Sequence, residues 1–460
     1  MYLDFFDRLK LLPAILAVCL ASLPGTTCRP TARAQEPSTD PFYKPPAGFE
    51  LEPPGAILRQ RQVASSFLGL IADPVEAYQL VYRTTAIDGS SIAAVTTVFK
   101  PFHPMTDRFI SFQTAYDSSS VTCEPSYQYQ LGVVQTDLIS PMEMFFIQRH
   151  ILQGYVVASP DHEGPDAALD PGRLAGMVVL DGMRAVVNFQ DTIGLSTRPP
   201  AIVGMGYSGG AIATGWAASL HSAYAPELNI KGWAQGGTPS NLTVGFTPAA
   251  IDGLCKPGAY GAQLQPVIDS IITEQGRCLL DFANSHCFLA DLLNFANQSI
   301  FSTDVQTLGH GILQQPTIHS ILAENILGAN KQETPIAPVL IYHGTQNEVI
   351  PYSNATALVK SWWNNKASVT FIAYANHGHT STPFLSLPDV GRFIESAFAG
   401  TVQTGCSSTM ITSSLLDPDA SSSELELAAA AVVNALRVAS ERDEDMTKRI
   451  SVRRRTVINA

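Results

Sequence analysis

The chain has 460 residues, of which 45% are apolar and 15% charged, with a formal net charge of −12. That length allows two or three domains, or one large α/β domain with an insertion, and the apolar fraction is enough for a sizeable core. The acidic balance argues against nonspecific nucleic-acid binding and against polybasic attachment to membranes.

In chain order, the first element is a leader. Arg8 and Lys10 precede the apolar run LLPAILAVCLAS, and Ala32-Arg33-Ala34 supplies an A-x-A cleavage motif. The apolar run, about a dozen residues, is short of the roughly 20 that span a bilayer, so residues 1–34 read as a secretory signal peptide and not as a membrane anchor. Cys19 and Cys28 would leave with it. Cys123, Cys255, Cys278, Cys287 and Cys406 would remain, widely spaced and without a CxxC pair. In a secreted chain this pattern suggests disulfides, not zinc, with one thiol unpaired or paired between chains. The sequons at Asn241, Asn297 and Asn354 fit the same compartment as glycosylation sites.

Thr39 to Arg61 is Pro-rich and is expected to be an extended arm. EAYQLVYRTTAIDGSSIAAVTTVFKP predicts two strands around a DGS turn. RFISFQTAY and GYVVASPD read as buried strands, and MVVLDGMRAVVNFQ has helical spacing at Val179, Met183, Val186 and Val187. AIVGMGYS is a strand entering a turn, followed by a small-residue helix, GAIATGWAASLH, and a further strand, IKGWAQGG. APVLIYHG and VTFIAYAN are two late strands separated by a helix around SNATALVKSWWNN. Alternating strands and helices predict a mostly parallel sheet covered on both faces. Between 238 and 332 the alternation stops. Short apolar helical pieces there, QPVIDSIITE and FLADLLNFANQSIF, suggest a helical cap inserted over the sheet. The expected division is therefore 1–34 signal, 35–237 core, 238–332 cap, 333–406 core, and 407–460 a disordered or loosely helical tail with an amphipathic stretch from Glu424 to Ser440.

Gly206-Tyr207-Ser208-Gly209-Gly210 is a G-x-S-x-G between an apolar strand and a small-residue helix. A serine on such a sharp turn stands exposed, the helix N-terminus favours developing negative charge, and the Gly209 N–H is placed to hold an oxyanion. A serine needs a base. YANHGHTST follows a late strand and offers His379, directly after a Gly, with His377 as the alternative. His343, before Gly344, reads as structural. The acid belongs in HGTQNEVIP, between serine and histidine in chain order, and there the expected carboxylate position holds Asn347, followed by Glu348. Three outcomes stay open: Glu348 swings in, a Ser-His-Asn set works weakly, or the site is silent. Asp161, His162, Glu163 and Asp166 in SPDHEGPD lack H-E-x-x-H helical geometry and read as a strand-end packing loop, so no metal and no cofactor are expected.

DPFYKPPAGFE, YQLVYRTTAIDG, YDSSSVTCEPSY, VVASPDHEGP, VLDGMRA, GYSGGA and GGTPSNL, in this order from Asp40 to Cys406, resemble the signatures of the fungal secretory lipase family of the Candida antarctica lipase A type. The resemblance implies an α/β-hydrolase fold, with a mostly parallel central sheet flanked by helices and a helical cap, and hydrolysis of triacylglycerols and other esters. It also implies a second oxyanion donor at Asp117 and a disulfide from Cys123 to the cap, with Cys287 the chosen partner and Cys278 its rival. The Asp-Glu pair usual in the family's acid loop is Asn-Glu here.

The combined reading is a secreted lipase or carboxylic ester hydrolase. Its expected partner is a lipid or ester met at an oil–water interface, with no nucleic acid and no stable membrane anchor. A noncatalytic lipid-binding protein is the rival that Asn347 keeps open.

Overall fold

The computed structural model describes residues 34–412 apart from 74, 138, 245–246 and 296–297. The leader, Cys19, Cys28, the Asn297 sequon and the Glu424 to Ser440 stretch lie outside the described residues.

Among the described residues, ten strands form one sheet: β1 (Ile57–Val63), β2 (Glu76–Thr85), β3 (Ser91–Lys100), β4 (Arg108–Gln113), β5 (Val156–Pro160), β6 (Ala201–Tyr207), β7 (Ile230–Gly236), β8 (Val339–Gly344), β9 (Val369–Tyr374) and β10 (Cys406–Ile411), in the order β1-β2-β3-β5-β4-β6-β7-β8-β9-β10. β1, β2, β3 and β5 pair antiparallel, and all strands from β5 to β10 pair parallel. The central strands read as apolar runs because both faces are covered. Along β8, Val339 and Ile341 enter one core while Leu340 and Tyr342 enter the other, the period of two that a strand imposes.

The first face carries α2 (Gly172–Asn188) and α3 (Gly209–Tyr224). They pack closely because Gly172 and Gly176 face Trp216, where any Cβ would collide with the indole or its backbone. α1 (Ile139–Leu152) and α10 (Leu387–Ala399) cover the other face. The predicted α2 began at Met177. It starts five residues earlier, directly after Pro171, whose fixed φ suits a helix entrance.

The insertion holds α4 (Pro248–Leu254), α5 (Gly261–Ile271), α6 (Glu274–Ala283), α7 (Phe288–Asn294) and α8 (Pro316–Glu324). The expected apolar helix through Phe301 is shorter than read, since α7 ends at Asn294. Leu264, Ile268, Leu279, Ile318 and Ile321 join the same buried cluster as α2 and α3. Asn325 stitches the two together, accepting from the Gly172 N–H at 3.0 Å and donating to the Tyr260 hydroxyl at 2.9 Å.

Two edges differ from expectation. The Pro-rich arm ends in a strand: Ile57 to Val63 pairs with β2. Upstream, Asp40 accepts from the Phe42 N–H and pairs with Arg61 at 2.6 Å, and Tyr43 contacts Ser126 at 2.9 Å. The tail boundary at 407 is also corrected. Cys406 to Ile411 continue the sheet beside β9, with every residue exposed or half-buried. A strand that is solvated on this scale carries no apolar alternation to mark it.

Candidate active site

The parallel strands bring their carboxyl ends into line. Gln113 lies opposite Gly206, Tyr207 opposite Gly236, and Gly344 opposite Tyr374. β4 leads back to β5 on one side, and β6 is laid down on the other, so the ends of β4 and β6 flank a switch point, where open α/β sheets place ligands.

Ser208 occupies the turn from β6 into α3 at φ +53°, a left-handed conformation that is costly for a residue with a Cβ. The turn is possible because the chain closes on itself there. A Cβ on Gly206 would lie 2.4 Å from the Gly210 oxygen, and one on Gly210 would lie 2.0 Å from the Gln113 oxygen. The Ser208 N–H donates to the Gly236 oxygen at 2.9 Å, which fixes the turn to the neighbouring strand.

His379, in the loop after β9, reaches the serine. Its Nε2 is 2.8 Å from Ser208 Oγ. His377 contributes its carbonyl to the Gln346 N–H, while the hydrogen bond to the serine is made by His379. The Tyr207 hydroxyl donates to the His379 oxygen at 2.7 Å, and the two rings lie 5.1 Å apart.

The loop after β8 separates its two candidate acids. Asn347 Oδ1 lies 3.1 Å from His379 Nδ1. Glu348 bonds the main chain instead, its Oε2 accepting from the His379 backbone N–H at 2.8 Å. The expectation that Glu348 swings onto the imidazole is thus not met: it clamps the main chain of the base loop. His343 is fully buried, with Nε2 3.0 Å from the Ile350 oxygen, and so ties β8 to the far end of the same loop. Burial and then His343 push the His379 imidazole down to about 3.

Asp117 follows β4 at φ +43°, and its Oδ1 lies only 1.6 Å from where a Cβ on Gly209 would stand. Residue 209 opens α3, so its N–H has no intrahelical acceptor. The Asp117 loop is held by the Cys123–Cys287 disulfide and by Ser118 Oγ donating to the His286 oxygen at 2.9 Å. Cys278 is a free, exposed thiol, as is Cys406, and Cys255 is free and half-buried.

Around this loop lies a group of acidic side chains that sequence reasoning missed, with Glu143 and Asp161 buried and Asp117 and Asp170 half-buried. Burial, then Asp137, raises Asp117 to about 7; burial raises Glu143 to about 8; burial, then Asp117, raises Asp170 to about 7. The SPDHEGPD segment belongs to it. Asp161 accepts from the Ser126 N–H at 2.8 Å and its hydroxyl at 2.5 Å, His162 Nε2 faces the Thr114 oxygen at 2.8 Å, and the Glu163 N–H donates to Tyr116. Asp166, half-buried, is raised by burial. These are packing contacts of a strand end.

The Asn354 sequon is corrected. Asn354 lies on the buried face of α9 (Tyr352–Asn364), with its side-chain nitrogen enclosed where no glycan fits. Asn241 is half-buried, and its Oδ1 accepts from the Thr243 N–H and hydroxyl. Among the described residues, no helix is long and apolar enough to cross a membrane.

A family model for secretory lipases matches residues 129–405. A secreted triacylglycerol lipase of Malassezia furfur is 37% identical over 415 residues, covering 86% of this chain and 87% of the relative. Another from Malassezia restricta is 34% identical, covering 83% and 85%. The crystal structure of Candida antarctica lipase A superposes with a TM-score of 0.77 at 29% identity, over 88% of this chain and 96% of that one. A rice cell wall degrading esterase of Xanthomonas oryzae, at 13% identity and a TM-score of 0.55, shares the fold. With the family model spanning more than half its length and relatives above a third identical along most of theirs, this chain belongs to the secretory lipase family.

Proposed function

We propose that this lipase is secreted and hydrolyses triacylglycerols and related carboxylic esters through an acyl-enzyme on Ser208. The observation that carries the reading is the 2.8 Å contact between Ser208 Oγ and His379 Nε2 on a strained strand-to-helix turn. Ser208 Oγ attacks the ester carbonyl carbon as its proton passes to His379 Nε2. The backbone N–H groups of Gly209 and Asp117 receive the developing oxyanion. Collapse expels the alcohol, which takes the proton from Nε2. Water, deprotonated by the same nitrogen, then attacks the acyl carbon and releases the fatty acid and Ser208. Asn347 holds the imidazole and Glu348 holds its backbone.

The secreted triacylglycerol lipases of Malassezia support the substrate class and the compartment. Val349 and Phe384, exposed apolar residues in the acid loop and just beyond the base loop, suit a substrate presented at an oil–water interface. The 238–332 insertion is assigned to the acyl chain. A silent lipid-binding role is not favoured, because the serine and histidine are in hydrogen-bonding contact.

The test is hydrolysis of a triacylglycerol emulsion and of short and long p-nitrophenyl esters. Wild type is expected to turn over all of them, and Ser208→Ala to lose at least about 10⁴-fold in kcat. Equal activity of the variant would end the reading.

A further inference from the structure

An asparagine in the place of the triad carboxylate is ordinarily damaging for a specific reason. Its NH₂ can face the imidazole, leaving Nδ1 as the acceptor and the proton on Nε2. The histidine is then in the wrong tautomer to take the serine proton, and turnover falls by about 10⁴.

The surroundings of Asn347 forbid that orientation. Its Oδ1 accepts from the Val349 N–H at 3.1 Å and the Ile350 N–H at 2.8 Å, as well as facing His379 Nδ1 at 3.1 Å. Backbone N–H groups are donors only. Turning the amide over would set its NH₂ against two other donors. It would also move Oδ1 to the position of Nδ2, which is buried with no acceptor or donor among the described residues. Facing an oxygen, Nδ1 must carry the imidazole proton, and Nε2 is left free to accept from Ser208.

We propose that Asn347 is a positioning residue whose amide is locked by the N–H groups of Val349 and Ile350, so that it holds His379 in the productive Nδ1–H tautomer without a charge. This inference rests on the serine-lipase reading above. It assigns Asn347 the orienting half of the usual acid's work and leaves out the electrostatic half. The groups around the ring agree with that division. Glu348 binds the main-chain N–H of residue 379, Tyr207 presents a neutral ring at 5.1 Å, and buried His343 faces the loop; His377 and Asp117 lie on the adjoining loops without a hydrogen bond to the imidazole. The imidazole should therefore stay neutral in acid, as its depressed pKa also suggests.

The direct test is a two-bond ¹H–¹⁵N correlation on the full chain labelled with ¹⁵N-histidine, the His379 signal being assigned by its loss in His379→Ala. The expected result is the Nδ1–H tautomer at pH 7, still neutral at pH 5. An Nε2–H tautomer would overturn the inference. Kinetics supply the second readout. Asn347→Leu, which removes the acceptor, should lower kcat by about 10²- to 10⁴-fold with little change in KM. Asn347→Asp should raise kcat by less than about 100-fold and move the acid limb of the kcat/KM profile up towards neutrality, because a carboxylate stabilises imidazolium. A gain near 10⁴-fold would mean that the wild-type tautomer is wrong, and would overturn the proposal. Loss of activity in Ser208→Ala together with an Nε2–H signal would defeat this inference alone; full activity in Ser208→Ala would defeat the reading beneath it.

Discussion

The nucleophile turn and the acid loop face each other across one imidazole, yet they are built on opposite plans. At the nucleophile turn the specification is local. Five consecutive residues, Gly206 to Gly210, contain both the reactive hydroxyl and the missing side chains that let the backbone pass. At the acid loop the side chain alone does not decide the chemistry. Asn347 acquires a defined orientation from two main-chain donors, and Glu348, the carboxylate of the same loop, is used on a main-chain N–H. A strained turn is specified by what its residues lack, whereas a hydrogen-bonded loop is specified by where its backbone points.

The largest break in that comparison is chemical. His379→Ala should match Ser208→Ala, each losing about 10⁴-fold or more in kcat, because the two act as a unit; His377→Ala, assayed beside them, should lose far less. Next comes the geometry of the turn. Gly210→Ala puts a Cβ 2.0 Å from the Gln113 carbonyl, backbone against backbone. It should destabilise by about 1–3 kcal/mol in denaturant titration and cost activity as well. Removing the Cys123–Cys287 bridge by Cys287→Ser takes away the covalent tie of the Asp117 loop and leaves the Ser118 hydrogen bond to His286 alone, with an expected loss of about 2–5 kcal/mol and a lower kcat, read from thermal unfolding and turnover. At the acid loop, Glu348→Gln keeps an oxygen acceptor for the His379 N–H, so kcat should fall by less than about tenfold. Abolition of activity there would make Glu348 the acid and erase the contrast.

The smallest expected effect is on stability against pH. Asp117 and Asp170 are raised to about 7 and Glu143 to about 8, and Asp161 is raised as well, each first by burial. Such carboxyls contribute fully in their neutral form below about pH 4, and lose that contribution as pH rises through their folded pKa. Histidines lowered by burial, His150 to about 3 and His162 to about 4, work in the opposite sense. Their effect is confined to pH below about 6.5, where the unfolded imidazole takes up protons. Above that the raised carboxyls dominate, so Tm should fall by several degrees between pH 6.5 and about 8.5. A Tm that rises over this interval would show that these carboxyls are not held neutral by their surroundings.

The same contrast explains what could be read from the amino acids. The parallel core was legible because apolar runs such as VLIYHG have few other ways to be buried, and Ser208 was legible because its turn demands glycines. His379 and the Cys123–Cys287 pair followed from chain order and from resemblance. The two edge strands were not legible: ILRQRQV and CSSTMI are too polar to alternate. Asn354 could have been placed correctly. It sits four residues before Leu358 and eight before Trp362, on the stripe that α9 buries. The partners of Asn347 had no signal of their own, because every residue at 349 and 350 except proline carries the same N–H.

The most direct measurement is labelling by a fluorophosphonate ester, followed by peptide mass spectrometry. One covalent adduct is expected, on Ser208, formed rapidly in wild type, at a rate within about 100-fold in Asn347→Asp, and not at all in His379→Ala. Wild-type protein that stays unlabelled while Asn347→Asp reacts would contradict that expectation.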